Sequence, residues 1–493
     1  MNKHMKYWLA VFVVFLGIYI YTLAPDVVWQ DQGDYQYRSA VNEYEFPGDV
    51  VRAHPLYVVI AHAVGRLTPM SYAYAANFTS AFFAAISVAN VFVIVYFLTG
   101  RSLAGILAAG LYGLAHTTWF NAVQAQTYSM SAACLSLSYL LFIMYRRYPR
   151  CVYLLLIGFV SGLGMSTHIM SQIGFAVIFC SLFYMMCKGP LPWKHLLWLA
   201  LLWFAGAFML WHVMWLEFER TGELFATIAS AVWGKWGGAV FNFGRVFHLA
   251  KQSFMFFVLN FPTPLVLLAV LGVVRAKGIL KDNVIFWSLL VSLGLYVLFA
   301  FRYDIPNQNN FFLPAYMLVA IYAGLGLSRL FKRDTVLLSA AIMTLFVLEI
   351  LTYPAISHIA RSRQMSIGTR RTVPYRDEYS YYLIPWQQNQ TGPRQLFTEL
   401  FDILPKEAVL LVDSTVYDPL MYVIAAENPR PDIFVYKPYA APDIIEVHRR
   451  MGCRFYVVSK HPAYIPDWVE PDELAAVELP GGAQIYEIII DES

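Results

Sequence analysis

Long apolar runs separated by short polar joints dominate the first 350 or so residues. The first is Tyr7–Leu23, preceded by Lys3 and Lys6. The others occupy 72–99, 103–116, 127–145, 152–167, 170–187, 194–216, 253–275, 284–301, 311–331 and 335–352. Each approaches the ~17–25 residues a helix needs to cross hydrocarbon. The pattern therefore predicts eleven spans, of which 103–116 and 152–167 are the shortest. The first run opens like a signal peptide. No small-residue cleavage site follows it, however, and Tyr19, Tyr21 and Pro25 suit an uncleaved helix.

The charges between the runs set an orientation. Alternate joints hold Arg101; Arg146, Arg147 and Arg150; Lys188 and Lys194; Arg275, Lys277 and Lys281; and Arg329, Lys332 and Arg333. The opposite short loops, 117–126 and 168–169, hold no Lys or Arg, and 302–310 holds only Arg302. Basic loops stay cytoplasmic, so the N-terminus is expected inside and everything after residue 352 outside.

Past 352 the pattern changes. Residues 361–394 carry arginines at 361, 363, 370, 371, 376 and 394 among many tyrosines. From 396 onward, helical segments (396–404, 417–426, 443–451) alternate with strand-like ones (408–412, 432–436, 455–458). Such alternation predicts a small α/β domain. The expected fold is a polytopic α-helical membrane protein of about eleven spans. Residues 1–352 form its catalytic body, with a first outer loop at 25–68; 353–395 is a linker, and 396–493 an extracytoplasmic α/β domain. The tail holds no glycine-rich phosphate loop, so no nucleotide is assigned to it.

Composition agrees with a membrane body: 59% of the 493 residues are hydrophobic and 14% charged, far from soluble usage. With 35 basic against 32 acidic residues, binding nucleic acid by bulk charge is excluded. Five cysteines build no disulfide framework.

Candidate chemistry gathers on the outer face. Asp31-Gln32-Gly33-Asp34 places two carboxylates three residues apart, just past the first span. Beside low-dielectric lipid, such a pair can act as a general base and its partner. The same four residues would also suit a solvated turn. The other candidates on this face are Arg52 and His54; His116, Gln126 and Tyr128; His168; and Arg302 and Asp304, followed by Asn307–Asn310. A divalent cation held by Asp31, Asp34 and His54 is a further alternative, without the fixed spacing of a metal motif. Within the spans, Glu349 stands out as an acid. Ion-coupled transporters place charged residues or broken helices near the midplane, so this pattern favours surface chemistry.

The runs Thr22–Pro25, Asp31–Asp34, His54-Pro55 and Asn77–Ala81 together resemble the opening of glycosyltransferase family 117. This family belongs to the GT-C superfamily of membrane glycosyltransferases and includes protein O-mannosyltransferases. His116–Tyr128, Gly162–His168, Arg302–Gln308 with Phe311–Pro314, Leu404–Leu411 and Arg430–Asp432 are similar to later family segments. Three positions depart from the pattern. Asp34 stands where the family usually has Glu, Gln126 where Glu is frequent, and Leu56 where a second proline often follows His-Pro. The resemblance implies a polyprenyl-phosphate-linked sugar as donor and an acceptor hydroxyl outside the cytoplasm, on protein or on an envelope glycan or lipid. It implies no cofactor beyond that lipid-linked co-substrate, and it fits a bacterial inner membrane. Asp31 would be the base and Asp34 its orienting partner. His54 would bind sugar or phosphate, with Arg52, Arg302 or the arginines near 361–371 facing the phosphate. A flippase for lipid-linked glycans and a non-catalytic envelope assembly protein are the other classes to test.

Overall fold

The computed structural model describes residues 3–189, 191–240, 244–367, 372–427 and 429–489. Arg370 and Arg371, two of the arginines considered for the phosphate, lie outside the described residues. All eleven apolar runs fall on helix. Six helices are long and apolar enough to cross a membrane: Lys3–Tyr21, Tyr72–Thr99, Thr127–Arg147, Asn283–Arg302, Leu313–Leu330 and Val336–Ser362. Three further runs are helix pairs bent by 69°, 62° and 107°, which raise the count to nine if each pair is one span. The remaining runs are the shorter apolar helices Cys151–Thr167 and Ser171–Cys187. By length and composition alone, the eleven expected spans thus become six to nine. The bends have local causes: the 107° break between Asn260 and Pro264, for example, falls at a proline that starts the second arm. The last helix continues ten residues past the predicted end at 352, to Ser362.

The segment expected as the first outer loop is not loop. It folds as an acidic helix, Asp31–Val41, a short turn at Val50–Arg52, and a second helix, Pro55–Leu67. The C-terminal domain holds a five-stranded sheet in the order β2-β1-β3-β5-β4. Strands β1 (Val409–Leu411), β2 (Phe434–Tyr436) and β3 (Phe455–Val457) are parallel and match the sequence expectation. Strands β4 (Leu474–Glu478) and β5 (Gln484–Ile488) add an antiparallel edge that the helix–strand alternation did not predict.

This domain shares its core with the first outer segment. Val27, Trp29 and Ala73 are fully buried in the same cluster as Phe397, Leu410, Val416 and Leu420. Arg394 forms a two-pronged ion pair with Asp26 (2.6 and 3.0 Å) and a second with Glu427. The helix Ser414–Glu427, which follows β1, lies across the acidic helix at a glycine. A Cβ on Gly33 would stand 2.7 Å from the backbone nitrogen of Pro419, so the motif's glycine serves close packing and not a turn. Pro419 has a second effect. A residue with an N–H there would bond the carbonyl of Thr415, four residues back; proline leaves that carbonyl unsatisfied by the helix. It accepts instead from the N–H of Gln30 at 3.1 Å. Gln30 caps the acidic helix with φ at 65°, a conformation that L-residues adopt only when held.

The remaining clamp is Asn77, fully buried in the helix Tyr72–Thr99. Its Nδ2 donates to the carbonyls of Ala24 (3.0 Å) and Asp26 (3.2 Å). Its Oδ1 accepts from Gln36 Nε2 (3.0 Å) and from the N–H of Ala125 (2.8 Å). Both donors and both lone pairs are occupied. One amide thereby ties the chain after the first span, the acidic helix and the second outer loop together. Although Asn77-Phe78-Thr79 reads as a glycosylation acceptor, this amide is engaged on every side.

Two outcomes follow for variants. Asn77→Ala takes the side-chain partner from the Ala24 carbonyl and the Ala125 N–H while Gln36 Nε2 keeps the Asp26 carbonyl, and it is expected to cost about 2–4 kcal/mol, read as a lowered thermal midpoint of the detergent-solubilised protein. Gly33→Ala drives a methyl into backbone and is expected to cost about 1–3 kcal/mol. Hydrogen exchange at 414–427 should accelerate in that variant, and unchanged protection there would contradict the packing role.

Candidate active site

Asp31 and Asp34 occupy the first turn of the acidic helix, three residues apart and so on one face. Asp31 accepts from Asn307 Nδ2 at 3.1 Å, which links it to the loop after the helix Asn283–Arg302. Arg38, one turn further along, approaches Asp34 at 3.7 Å. Arg38 also donates to the carbonyls of Glu43 and Arg52 (3.0 and 3.1 Å) and to that of Ala53. It is buried, and it sets the turn from which Arg52 and His54 project.

The Arg52 guanidinium lies 4.5 Å over the Phe46 ring. Burial works against its charge, but Asp31, Tyr35, Asp34 and Asp49 outweigh that and hold it above its ordinary pKa. Tyr35, directly after Asp34 in sequence, packs edge-on against His54 (5.8 Å) and Tyr57 (5.6 Å).

His54 ends the turn with φ at 46° and stacks on His168 at 4.9 Å. His168 in turn meets Tyr128 at 4.9 Å. Burial, reinforced by His168 and Arg38, pushes His54 well below its usual pKa, and burial lowers His168 to about 4. Both rings are therefore neutral at physiological pH. Their hydrogen bonds fix complementary tautomers. His54 Nδ1 faces the Thr167 carbonyl at 2.7 Å, which accepts only, so His54 Nε2 is an acceptor. His168 Nδ1 accepts from the N–H of Met170 (3.2 Å), so its Nε2 carries the proton. A neighbouring acceptor and donor on neutral rings suit an alcohol.

These contacts join residues from the ends of several membrane helices on one face of the bundle. Asp31, Asp34, Arg52, His54, Tyr128 and His168 form one connected group. The other candidates lie elsewhere or serve the backbone. His116 stacks on Phe120 (5.9 Å) and meets Tyr353 edge-on (5.6 Å). Asp304 pairs with Arg245 at 3.0 Å. Gln126 is held through its backbone, its N–H donating to Ser80 Oγ at 2.8 Å. Arg302 is buried beside Phe301. Arg361 pairs with Asp377, and Arg376 with Glu378 at 2.7 Å, so these two serve the C-terminal region. As for the cation alternative, His54 turns its Nδ1 to Thr167, and among the described residues no three His, Cys, Asp or Glu side chains form a metal-ligand group.

Sequence reasoning missed Arg38, Tyr35 and Asn307 as site residues. Arg38 was readable from its i,i+4 spacing to Asp34, and Asn307 lay within a polar cluster already noted. The group also has a neighbour from the C-terminal domain, Asp418, which feels both Asp34 and Asp31.

A family model described as the protein O-mannosyl-transferase TMEM260 N-terminal domain matches residues 53–190. The acidic helix precedes that segment. In structure, the chain is similar to ArnT from Cupriavidus metallidurans bound to undecaprenyl phosphate, with a TM-score of 0.56, 12% identity and 98% of each chain covered. For the apo form of that protein the TM-score is 0.57, at 13% identity and 97% coverage of each chain. The Archaeoglobus fulgidus oligosaccharyltransferase in its apo form is also similar, with a TM-score of 0.51 and 13% identity over 92% of this chain and 69% of that one. At these identities the structural likeness is one of fold. Residues 53–190 thus resemble a TMEM260-type O-mannosyl-transferase domain, and along its length the chain has the fold of ArnT.

Proposed function

We propose that this protein transfers a sugar from a polyprenyl-phosphate donor to a hydroxyl outside the cytoplasm, with inversion at the anomeric carbon. The observation that carries this reading is the convergence of Asp31, Asp34 and Arg52, from the segment after the first span, on His54 and on Tyr128 and His168 at the ends of apolar helices, where a lipid-anchored sugar phosphate would arrive. The likeness to an undecaprenyl-phosphate-bound ArnT supports the donor class, and the TMEM260 match favours mannose passed to Ser or Thr of a protein. An envelope glycan or lipid is the other acceptor class.

In the proposed reaction the acceptor oxygen attacks the anomeric carbon and its proton passes to Asp31. The bond from that carbon to the phosphate oxygen breaks, and the polyprenyl phosphate leaves with the electron pair. Asn307 and the first turn of the helix orient Asp31, while Asp34, steadied by Arg38, keeps the base and the cation in register. Arg52 faces the phosphate, whose departure needs a positive charge rather than a proton. Arg302 is the alternative cation. His54 Nε2 and His168 Nε2 receive sugar hydroxyls, with Tyr128 beneath them. His116, Gln126 and Asp304 act at most through the walls of the site. In topology, the reading takes the bent pairs and the two shorter helices as crossings, giving eleven, with the N-terminus cytoplasmic and the α/β domain outside. Against a flippase, Glu349 bonds Thr263 Oγ1 at 3.3 Å at the break between the two bent helix arms, so this intramembrane acid has a structural partner.

Purified protein given radiolabelled polyprenyl-phosphate mannose and a Ser/Thr peptide should move label into the peptide. Asp31→Asn is expected to lower that rate by at least about a hundredfold while donor binding persists. A variant within about tenfold of wild type would remove Asp31 as base. Label that enters only a lipid-extractable product would redirect the acceptor.

A further inference from the structure

Asp418 reaches the acidic pair from the far end of the chain. It immediately precedes Pro419, whose ring and backbone rest on Gly33 between Asp31 and Asp34. The crossing that fixes Pro419 therefore fixes Asp418 too, and the Gln30–Thr415 bond holds that crossing in register. The carboxyl is partly buried at the seam. From the acidic helix it faces Asp34 and Asp31, from the turn Arg52, and from the segment after β2 Lys437. Lys437 Nζ itself lies 4.8 Å over the ring of Tyr417, which also feels Tyr37 and Tyr439. Burial, and then the charges of Asp34 and Asp31, push Asp418 up to about 8, against the pull of Lys437 and Arg52.

We propose that Asp418 is a positioning residue of the active site: a third carboxyl, delivered by the C-terminal domain where Pro419 packs on Gly33, that controls how readily an anionic lipid phosphate approaches Asp31, Asp34 and Arg52. This rests on the transferase reading above. A negative charge on Asp418 at the seam would repel an anionic donor from the site. The effect falls on donor capture and not on bond making, because Asp418 acts through the local charge and touches no reacting atom. Donor capture should then fail as Asp418 loses its proton.

The test is the pH profile of kcat/KM for radiolabelled polyprenyl-phosphate mannose, measured on the full-length protein. A single group titrating near 8 goes from about nine-tenths to about one-tenth neutral between pH 7 and 9. Wild-type kcat/KM should therefore fall about tenfold over that range, with kcat moving far less. Asp418→Asn, which stays neutral, should bring the ratio of the two rates close to one, and Asp418→Glu should keep the fall. Lys437→Gln removes a cation that favours the carboxylate, so the fall should move to higher pH. A tenfold fall retained in Asp418→Asn overturns the proposal, as does a fall confined to kcat. If Asp418→Asn does not yield folded protein, a profile unmoved in Lys437→Gln overturns it instead. Wild-type protein that transfers no sugar at any pH overturns the transferase reading and this role with it. Transfer with an unaltered Asp418→Asn profile overturns this role alone.

Discussion

The site depends on one buried amide. Asn77 lies in a membrane helix, yet all four of its hydrogen-bonding positions are taken by segments beyond that helix's own ladder: the stretch after the first span, Gln36 of the acidic helix, and the second outer loop. In a low-dielectric surrounding a fully satisfied amide is strongly directional, and each partner it loses leaves a desolvated group behind. Asn77 therefore sets the height and rotation of the acidic helix relative to the bundle. Gln36 passes this on, since its Oε1 accepts the N–H of Val28 at 3.0 Å. Arg38 carries the same order outward by gripping the carbonyls around residue 52.

The α/β domain completes this arrangement and is not a separate appendage. Its core takes in Trp29 and Val27, and its helix Ser414–Glu427 touches the acidic helix at the position where a side chain is absent. The motif Asp31-Gln32-Gly33-Asp34 thus serves packing as well as the proposed chemistry, because its glycine admits Pro419. Arg394, Asp26 and Glu427 close the same seam with charge.

Much of the fold was legible because membrane helices announce themselves by length and apolarity, which depend on local sequence alone. The parallel strands β1 to β3 were legible for a related reason: Val409–Leu411 and Phe455–Val457 are short, wholly buried runs between helical segments. Strand β4, with its alternating exposure and central alanines, carries a weaker signal. The bends escaped notice because an apolar run reads the same whether its helix is straight or broken. In the site, Asp31, Asp34, Arg52 and His54 were readable as a cluster on one outer segment, and the family resemblance pointed the same way. For His116 the sequence could not say which way the ring turns, and in the structure it packs against Phe120 and Tyr353. Asp418 was illegible in principle. It lies hundreds of residues from Asp34, and only the packing of Pro419 on Gly33 relates the two.

The bond from Gln30 to Thr415 has a consequence for how the molecule comes into being. The acidic helix leaves the ribosome early, while the carbonyl that steadies its strained first residue is made almost last. Until only about the last sixth of the chain remains to be made, the acidic helix thus lacks that support. A chain that stops short of residue 415 would lack the carbonyl that holds Gln30 in its positive-φ conformation.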